Sequence, residues 1–415
     1  MEINNSNFYD FVIIGAGPAG LTASIIAARQ GWSVIVLEKG EKAGPKPRGE
    51  GMGYYPIVDE IIGEKFLPSI GLKSNGGRVW HSPGDLQTTR TFREYNHYFF
   101  EWRTFVDRFV DVAHSEGVQI CLNCEVMEPI ESDGFCVGVK FTNENGASNQ
   151  IYGNSILDCS GHSGIIGKFY GIPYDEQVNC PIIKCLISEA NFNIKNTPDL
   201  QFYLIGNGDL DYSPQFPQCV AYVFPLENRK AEVGLMLRMT QARNMKTVSI
   251  PDVNEILEVW QKIKDEYPGF STFFRGAKID YEEVTQIPNA KMVENIIPMP
   301  GVVLIGDSAG FVNPFGSSGL YYSMKMAKIW VLNISKAMKA LKEEISNSKN
   351  LHISLWNEEK IKDYLKEFQD TPIFQEVKHY YNLIGAFEYK IFNRLRTSER
   401  INKKWDYIAN LLEQA

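Results

Sequence analysis

The chain offers little with which to hold a metal. It has only six histidines, and its seven cysteines are scattered. No four-cysteine spacing of the iron–sulfur type occurs. His81, His97 and His162 show no ligand spacing and read as structural or surface residues. Cys121 and Cys124 have CxxC spacing but lie in Val118–Met127, where apolar residues alternate as in a strand. Residues three apart on a strand face opposite sides, so this pair is not expected to chelate, and no metal is expected. The chain also lacks a positive excess. Its net charge of -8 argues against nucleic acid, whose partners carry a basic footprint. Low-complexity tracts and internal repeats are missing. A basic leader with a cleavage site is missing too, so the thiols read as reduced and the protein as cytoplasmic. The uncharged run from Phe11 to Ala28 has the length of a membrane span. Its centre, Gly15-Ala16-Gly17-Pro18-Ala19-Gly20, would break a lipid-exposed helix, and it reads as a buried strand and helix.

What the chain does have begins at that run. Phe11–Ile14 reads as a strand, Gly15–Gly20 as a glycine turn, Pro18 to about Gln30 as a helix, and Val34–Leu37 as a second strand ending in Glu38, with Lys39 beside it expected at the cofactor. This is the order of a dinucleotide-binding unit. Gly15 permits the tight turn, Gly17 admits the pyrophosphate, and Gly20 lets helix and strand pack closely. The helix opens at Pro18 and Ala19, where free backbone N–H groups and the dipole favour phosphate. Proline suits that first turn, having no N–H to leave unpaired. Glu38 stands eighteen positions after Gly20, close to the spacing for bonding ribose hydroxyls. Far along the chain, Val302–Ile305 reads as another strand, followed by Gly306-Asp307-Ser308-Ala309-Gly310. An aspartate there can reach a polyol, and the two stretches together point to FAD rather than NAD.

The 415 residues suffice for two or three domains. Glu41–Met52 reads as a long loop, Asp59–Leu72 as a helix, and Gly77–Arg93 as short strands. Phe99–Glu116 has helical periodicity, and Val137–Phe141 and Ile156–Asp158 read as strands. Cys185–Ile187, Gln201–Ile205, Cys219–Phe224 and Ala231–Leu237 suggest an antiparallel sheet, interrupted by a helix at Val253–Lys264. The expected class is α/β: a Rossmann-type FAD-binding domain with an inserted, mainly antiparallel β-sheet substrate domain and a C-terminal helical region. The FAD-binding parts fall at residues 1–72, 99–180 and 288–340, the substrate strands and sheet at 73–98 and 181–287, and the helical region at 341–415.

The Gly15–Glu38 stretch, Arg103 opening Arg-Thr-Phe-Val-Asp, Ser160-Gly161 after a strand and Gly306–Gly310 resemble the para-hydroxybenzoate-hydroxylase-like flavoproteins. Within them, Pro47-Arg48-Gly49-Glu50-Gly51 and Pro217–Pro225 resemble the geranylgeranyl reductase family, whose P-x-x-Y-x-W-x-F-P pattern carries tyrosine and tryptophan where this chain has Val220 and Tyr222. Ala231–Leu235 and Gly310–Pro314 are similar to that family as well, and the likeness spans roughly residues 8 to 340. Relatives often have cysteine at the position of Arg48. Arg48–Gly51 is also close to the Arg-x-Gly-Glu-Ser loops of flavin halogenases, which keeps a monooxygenase or halogenase as an alternative, beside an electron-transfer flavoprotein.

The resemblance implies roles by position. Arg48, Gly49, Glu50 and Gly51 would meet the flavin; Arg103 would bond the FAD phosphate and ribityl region, or be an exposed arginine at a helix start. Val126 would offer backbone groups to adenine, and Gly161 would lie at the cofactor. Gly306 and Asp307 would hold the ribityl chain. Gly319 and Leu320 would turn N–H groups to the pyrimidine end of the flavin, where partial positive charge favours the reduced anion, or simply start a helix. Tyr222, Phe224 and Pro225 would line the substrate pocket, although ordinary sheet core has the same composition. The implied reaction is reduction of carbon–carbon double bonds in a geranylgeranyl-type isoprenoid or other hydrophobic substrate by hydride from flavin N5. No catalytic acid is identifiable. There is no second complete GxGxxG after a strand, so electrons would come from an external donor, NAD(P)H or a redox protein. The tail holds Tyr380, Tyr381, Leu383, Ile384, Phe387, Ile391 and Phe392, then six basic residues between Lys390 and Lys404 and, after them, Trp405. Such a segment lies peripherally on an anionic membrane, packs on its own core with a wet charged face, or meets a partner.

Overall fold

The structure, a computed structural model, describes residues 7–389 except 45, 75–76, 82–87, 93–95, 192–198, 206–218, 238, 241–247, 250–252, 316–317 and 345–347, together with 399 and 403. Its first sheet is built on the N-terminal apolar run. Phe8–Ile14 lies between Val34–Leu37 and Ser148–Asp158, all parallel, and Gln119–Cys121 extends the sheet beyond Val34–Leu37. Strands covered on both faces read as continuous apolar runs, and Phe11, Val12 and Ile13 have no exposed surface. Val302–Leu304 returns almost three hundred residues later to pair in parallel with Ile156–Asp158. Phe135–Thr142 and Glu125–Ser132 continue the sheet antiparallel. Helices Pro18–Arg29, Trp102–Ser115 and Leu320–Glu344 cover it.

The second sheet runs, in spatial order, Lys278–Ile287, Cys180–Ser188, Ala231–Leu237, Cys219–Pro225, Leu200–Ile205, Gly77–His81 and Thr88–Phe92, antiparallel except where Leu200–Ile205 meets Gly77–His81. Period-two alternation gives it two different faces. Ile183, Cys185, Ala221, Val223, Val233 and Leu235 pack with Trp260 and Ile263 of the helix Val253–Glu266. Ile182, Leu186, Phe202, Tyr222 and Leu226 turn to the other side. A third, three-stranded sheet of Gly49–Gly53, His97–Glu101 and Leu72–Lys73 joins the two bodies.

Four local expectations are corrected. Glu41–Met52 is not all loop, because Gly49–Gly53 is a strand. The helix expected over Asp59–Leu72 is two short helices, Pro56–Ile62 and Phe66–Ile70, split where Gly63 and Lys65 take φ of 107° and 60°. Phe99–Glu101 belong to a strand, and the helix starts only at Trp102. Val118–Met127 is interrupted by a turn with Asn123 at φ 53°, so Cys121 and Cys124 are not three apart on one strand. Burial first, and then the neighbouring Cys121, hold the Cys124 thiol above its usual range. Among the described residues no group of three or more side chains is arranged to hold a metal.

The C-terminal helices Ser348–Leu355, Glu358–Gln369 and Pro372–Tyr389 dock through Trp356, Phe368, Phe374 and Tyr380. Ile384 reaches the cluster on the inner face of the second sheet, so this part of the tail packs on the protein's own core. The basic run after it lies outside the described residues, apart from Glu399 and Lys403. No helix among the described residues is long and apolar enough to cross a membrane.

Candidate active site

The N-terminal turn is shaped by contacts that exclude side chains. Gly15 has φ 95°, and a Cβ there would lie 2.6 Å from Cys159 O. A Cβ on Gly20 would lie 2.0 Å from Gly15 O, which is why helix and strand approach so closely. A Cβ on Gly17 would meet nothing within 4 Å, because Gly17 opens onto a cavity. Glu38, at the end of the second strand, accepts from Ala16 N at 2.7 Å and Gly40 N at 2.8 Å. An ionised carboxylate has about four acceptor positions, so the bonds leave capacity for ribose hydroxyls while fixing the turn. The backbone of Glu38 is bonded on both sides to the Cys121–Cys124 turn, and buried Val126 follows that turn directly.

The cavity has a volume of about 350 Å³. It brings together Gly17, Pro18 and Ala19 of the turn with Gly161, Asp307, Gly319 and Leu320. These come from four separate stretches of chain, and the parallel sheet gathers them beyond the carboxyl ends of its strands. Asp307 lies in the helical turn Gly306–Ala309 that follows Val302–Leu304. Ser308 Oγ donates to Asp158 O and accepts from Ile305 N, tying this turn to the neighbouring strand. A Cβ on Gly319 would come within 3.0 Å of Asp307 Oδ1. Burial pushes the Asp307 carboxyl up, opposed by Lys184 and Arg48. Leu320 begins a long helix, so its orphan N–H groups open on the cavity.

The second sheet supplies the opposite wall. Tyr222 and Phe224 both line the cavity, ring centroids 4.8 Å apart, with Ile182, Phe202 and Met236 from neighbouring strands. Pro225 sits at the strand end against Ala231 and does not line it. Arg48, Glu50 and Gly51 do, while Gly49 is turned away against Leu226 and Glu232. The Arg48 guanidinium lies 4.2 Å from the Trp102 ring centroid. Arg103 is placed otherwise than its proposed role: Nη1 donates to Ala43 O and Gly44 O at 2.5 and 2.8 Å, and Nη2 pairs with Asp107 at 2.7 Å. It clamps the loop that carries Gly44 to the cavity, leaving only its buried Nε without a partner. Lys39 is exposed and does not line the cavity.

Sequence reasoning missed the charged side chains of this wall. Lys184, 13 % exposed, lines the cavity with Nζ 3.8 Å from Glu50 Oε2, and Arg48 Nη2 lies 3.5 Å from the same oxygen. Burial, then Arg48, lower the Lys184 pKa. Behind them Glu232, 1 % exposed, accepts from Gly49 N at 3.0 Å. Burial raises its pKa to about 7 against the pull of Lys184. His162, expected to be structural or superficial, lines the cavity. Burial, with Lys46 and Lys39 nearby, pushes it down to about 4, so it is neutral at pH 7. Lys46 pairs with Glu283 at 2.5 Å across the rim. The signal was a single charge set in an apolar strand, as in Cys-Pro-Ile-Ile-Lys184-Cys-Leu-Ile and Ala-Glu232-Val-Gly-Leu.

An open glycine cradle, a helix N-terminus and a carboxylate beside a second helix N-terminus fit a dinucleotide carrying a ribityl chain. Comparison with known proteins agrees. The family profile described as FAD dependent oxidoreductase matches residues 10–292. Digeranylgeranylglycerophospholipid reductase 2 of Methanopyrus kandleri is 24% identical over 382 residues, covering 89% of this chain and 88% of the relative. The digeranylgeranylglycerophospholipid reductase of Methanocaldococcus jannaschii is 24% identical over 409 residues, 96% of this chain and 90% of that one. Among solved structures, a geranylgeranyl bacteriochlorophyll reductase-like protein from Thermoplasma acidophilum superposes with TM-score 0.70 at 16% identity, covering 98% and 99% of the two chains. The flavin-dependent brominase Bmp2 superposes with TM-score 0.64 at 15% identity, covering 98% and 94%. With its cradle, its cavity and the family match over two thirds of its length, this chain belongs to the FAD dependent oxidoreductases, and its cofactor is FAD.

Proposed function

We propose that the protein reduces carbon–carbon double bonds of a polyprenyl lipid of the geranylgeranyl type. The observation that carries this reading is the apolar wall of Ile182, Phe202, Tyr222, Phe224 and Met236, which faces the flavin cradle across one cavity. The names of two curated relatives support it. FAD, once reduced by an external donor, supplies the hydride. The N–H groups of Gly17 and Ala19 would hold the pyrophosphate, Asp307 would accept from the ribityl chain, and the N–H groups at Gly319 and Leu320 would favour charge on the reduced flavin. Tyr222 and Phe224 would hold an isoprenoid in the cavity and keep water out. An unconjugated alkene is a poor hydride acceptor, so protonation must accompany transfer. Lys184 Nζ lies in the cavity wall and, when protonated, would meet that need.

The test is anaerobic. The FAD-loaded protein is reduced with dithionite, excess reductant is removed, and a geranylgeranyl lipid is added. Return of the yellow colour with a product heavier by two hydrogens supports the reading. Flavin that stays bleached removes it. Rapid NAD(P)H-dependent oxygen consumption with an aromatic substrate would assign the same cavity to monooxygenation or halogenation instead.

A further inference from the structure

We propose that Glu232 is a proton-loading residue coupled to the flavin: reduction of bound FAD by two electrons draws one proton onto the Glu232 carboxylate, besides the proton the flavin itself takes up. The proposal rests on FAD binding alone and not on the lipid reading.

The geometry is that of a closed charge cluster. Glu50 comes from the strand Gly49–Gly53 and Arg48 directly precedes it, Lys184 comes from Cys180–Ser188, and Asp307 from across the cavity. Glu232 stands behind them, one oxygen on Gly49 N and the other, Oε1, buried without a hydrogen-bond partner. The titratable neighbours facing it from other elements are Lys184 and Cys185, Tyr222, and Tyr281. With Arg48 and Lys184 positive, and Glu50, Asp307 and Glu232 all ionised, the cluster carries one net negative charge. One proton makes it neutral, and a dry site favours neutrality. Glu232 is the acid set to hold that proton, since its carboxyl already titrates near 7. An unpartnered buried oxygen fits a carboxyl that gains an O–H.

Reduction changes the sum. Oxidised FAD plus two electrons and one proton gives reduced flavin bearing one more negative charge. The added charge appears inside the same cavity, where interactions are weakly screened. It raises the proton affinity of the carboxylates around it, and the one that already lacks a partner for an oxygen takes the proton: Glu232–COO⁻ plus one proton becomes Glu232–COOH. Two electrons thus bring in two protons over the pH range between Glu232's affinities in the two redox states. This is the site-to-site coupling expected of interacting titrations.

The experiment measures the midpoint potential of bound FAD against pH, with a reference dye, in the wild-type protein and in Glu232→Gln. Glutamine keeps an acceptor for Gly49 N and cannot be ionised. Above a break near pH 7 the wild-type slope should be twice that of the variant, two protons per two electrons against one. Equal slopes would overturn the proposal. If Glu232→Gln does not retain FAD, Lys184→Met carries the test. Loss of that cation should keep Glu232 protonated longer and move the break to higher pH, and an unmoved break also overturns the proposal. Because no lipid is present, a failed lipid reduction leaves this result standing, and the reverse holds too.

Discussion

The cradle and the wall face each other across one cavity but recognise by different means. The cradle works with backbone. Its contacts come from N–H groups, and its glycines are there because Cβ atoms would collide with Cys159 O, Gly15 O or the pyrophosphate. The wall works with side chains set into a sheet, where Tyr222, Phe224, Lys184 and Glu232 share a face through cross-strand register. Backbone recognition ties residue type to spacing within a short stretch. Side-chain recognition scatters its members over fifty residues and ties them to nothing but pairing. On the proposed reading the cradle fixes the cofactor, and the wall is free to choose the substrate.

Substitutions can break this contrast, and the largest effect belongs to the cradle. Gly20→Ala would press a methyl against Gly15 O at 2.0 Å. It should cost about 3 kcal/mol or more, giving a colourless protein with a clearly lower thermal midpoint. Next comes the wall's buried acid. The folded pKa of Glu232, about 7, is raised above its ordinary value of 4.5. The folded state thus binds the extra proton, and stability falls as pH rises from about 4.5 through 7. The gap in thermal midpoint between Glu232→Gln and wild type should grow in the variant's favour across that window, by a stability difference on the order of 3 kcal/mol at most. A gap independent of pH would show that the carboxyl titrates normally.

Smaller changes sharpen the division. Gly17→Ala has free space for its methyl, so the thermal midpoint should hold while FAD affinity falls about tenfold, or 1.4 kcal/mol. Asp307→Asn keeps the size and loses the charge, and a titration of flavin fluorescence should show a loss of about 1.5 kcal/mol or more. Phe224→Leu should leave FAD binding and its visible spectrum unchanged. With a polyprenyl substrate it should shift kcat/KM by roughly tenfold, the range of small changes in an apolar pocket. A shifted spectrum without a kinetic change would place Phe224 with the cofactor instead.

This division also explains what could be read from the chain. Gly15, Gly17, Gly20, Glu38 and Asp307 were legible because each sits at a fixed offset from a strand end. The alternation in Cys219–Pro225 and Ala231–Leu237 gave the sheet and the face shared by Tyr222 and Phe224. The Gly49–Gly53 strand was not legible, since its glycines look like loop. They are there because Glu232 Cβ would lie 2.7 Å from a Cβ on Gly49, and His97 and Phe99 crowd Gly51 at 3.0 Å. Arg103 was legible as a helix-start arginine, but not its hold on Ala43 and Gly44, which depends on where the preceding loop falls. The turn at Asn123 was hidden by apolar alternation that runs straight through it.

Tyr381, in the last long helix, ties the tail to the loop that carries the Asp307 turn. Its hydroxyl lies 2.7 Å from Pro288 O and 2.9 Å from Gly310 O, one carbonyl on each side of the chain's return to the first sheet. As a ribosome extrudes the chain, both carbonyls emerge well before the phenol that satisfies them. Until that residue has been made, the two carbonyls must find water instead, so the last helix seals the strand's return only after the Asp307 turn has itself been synthesised.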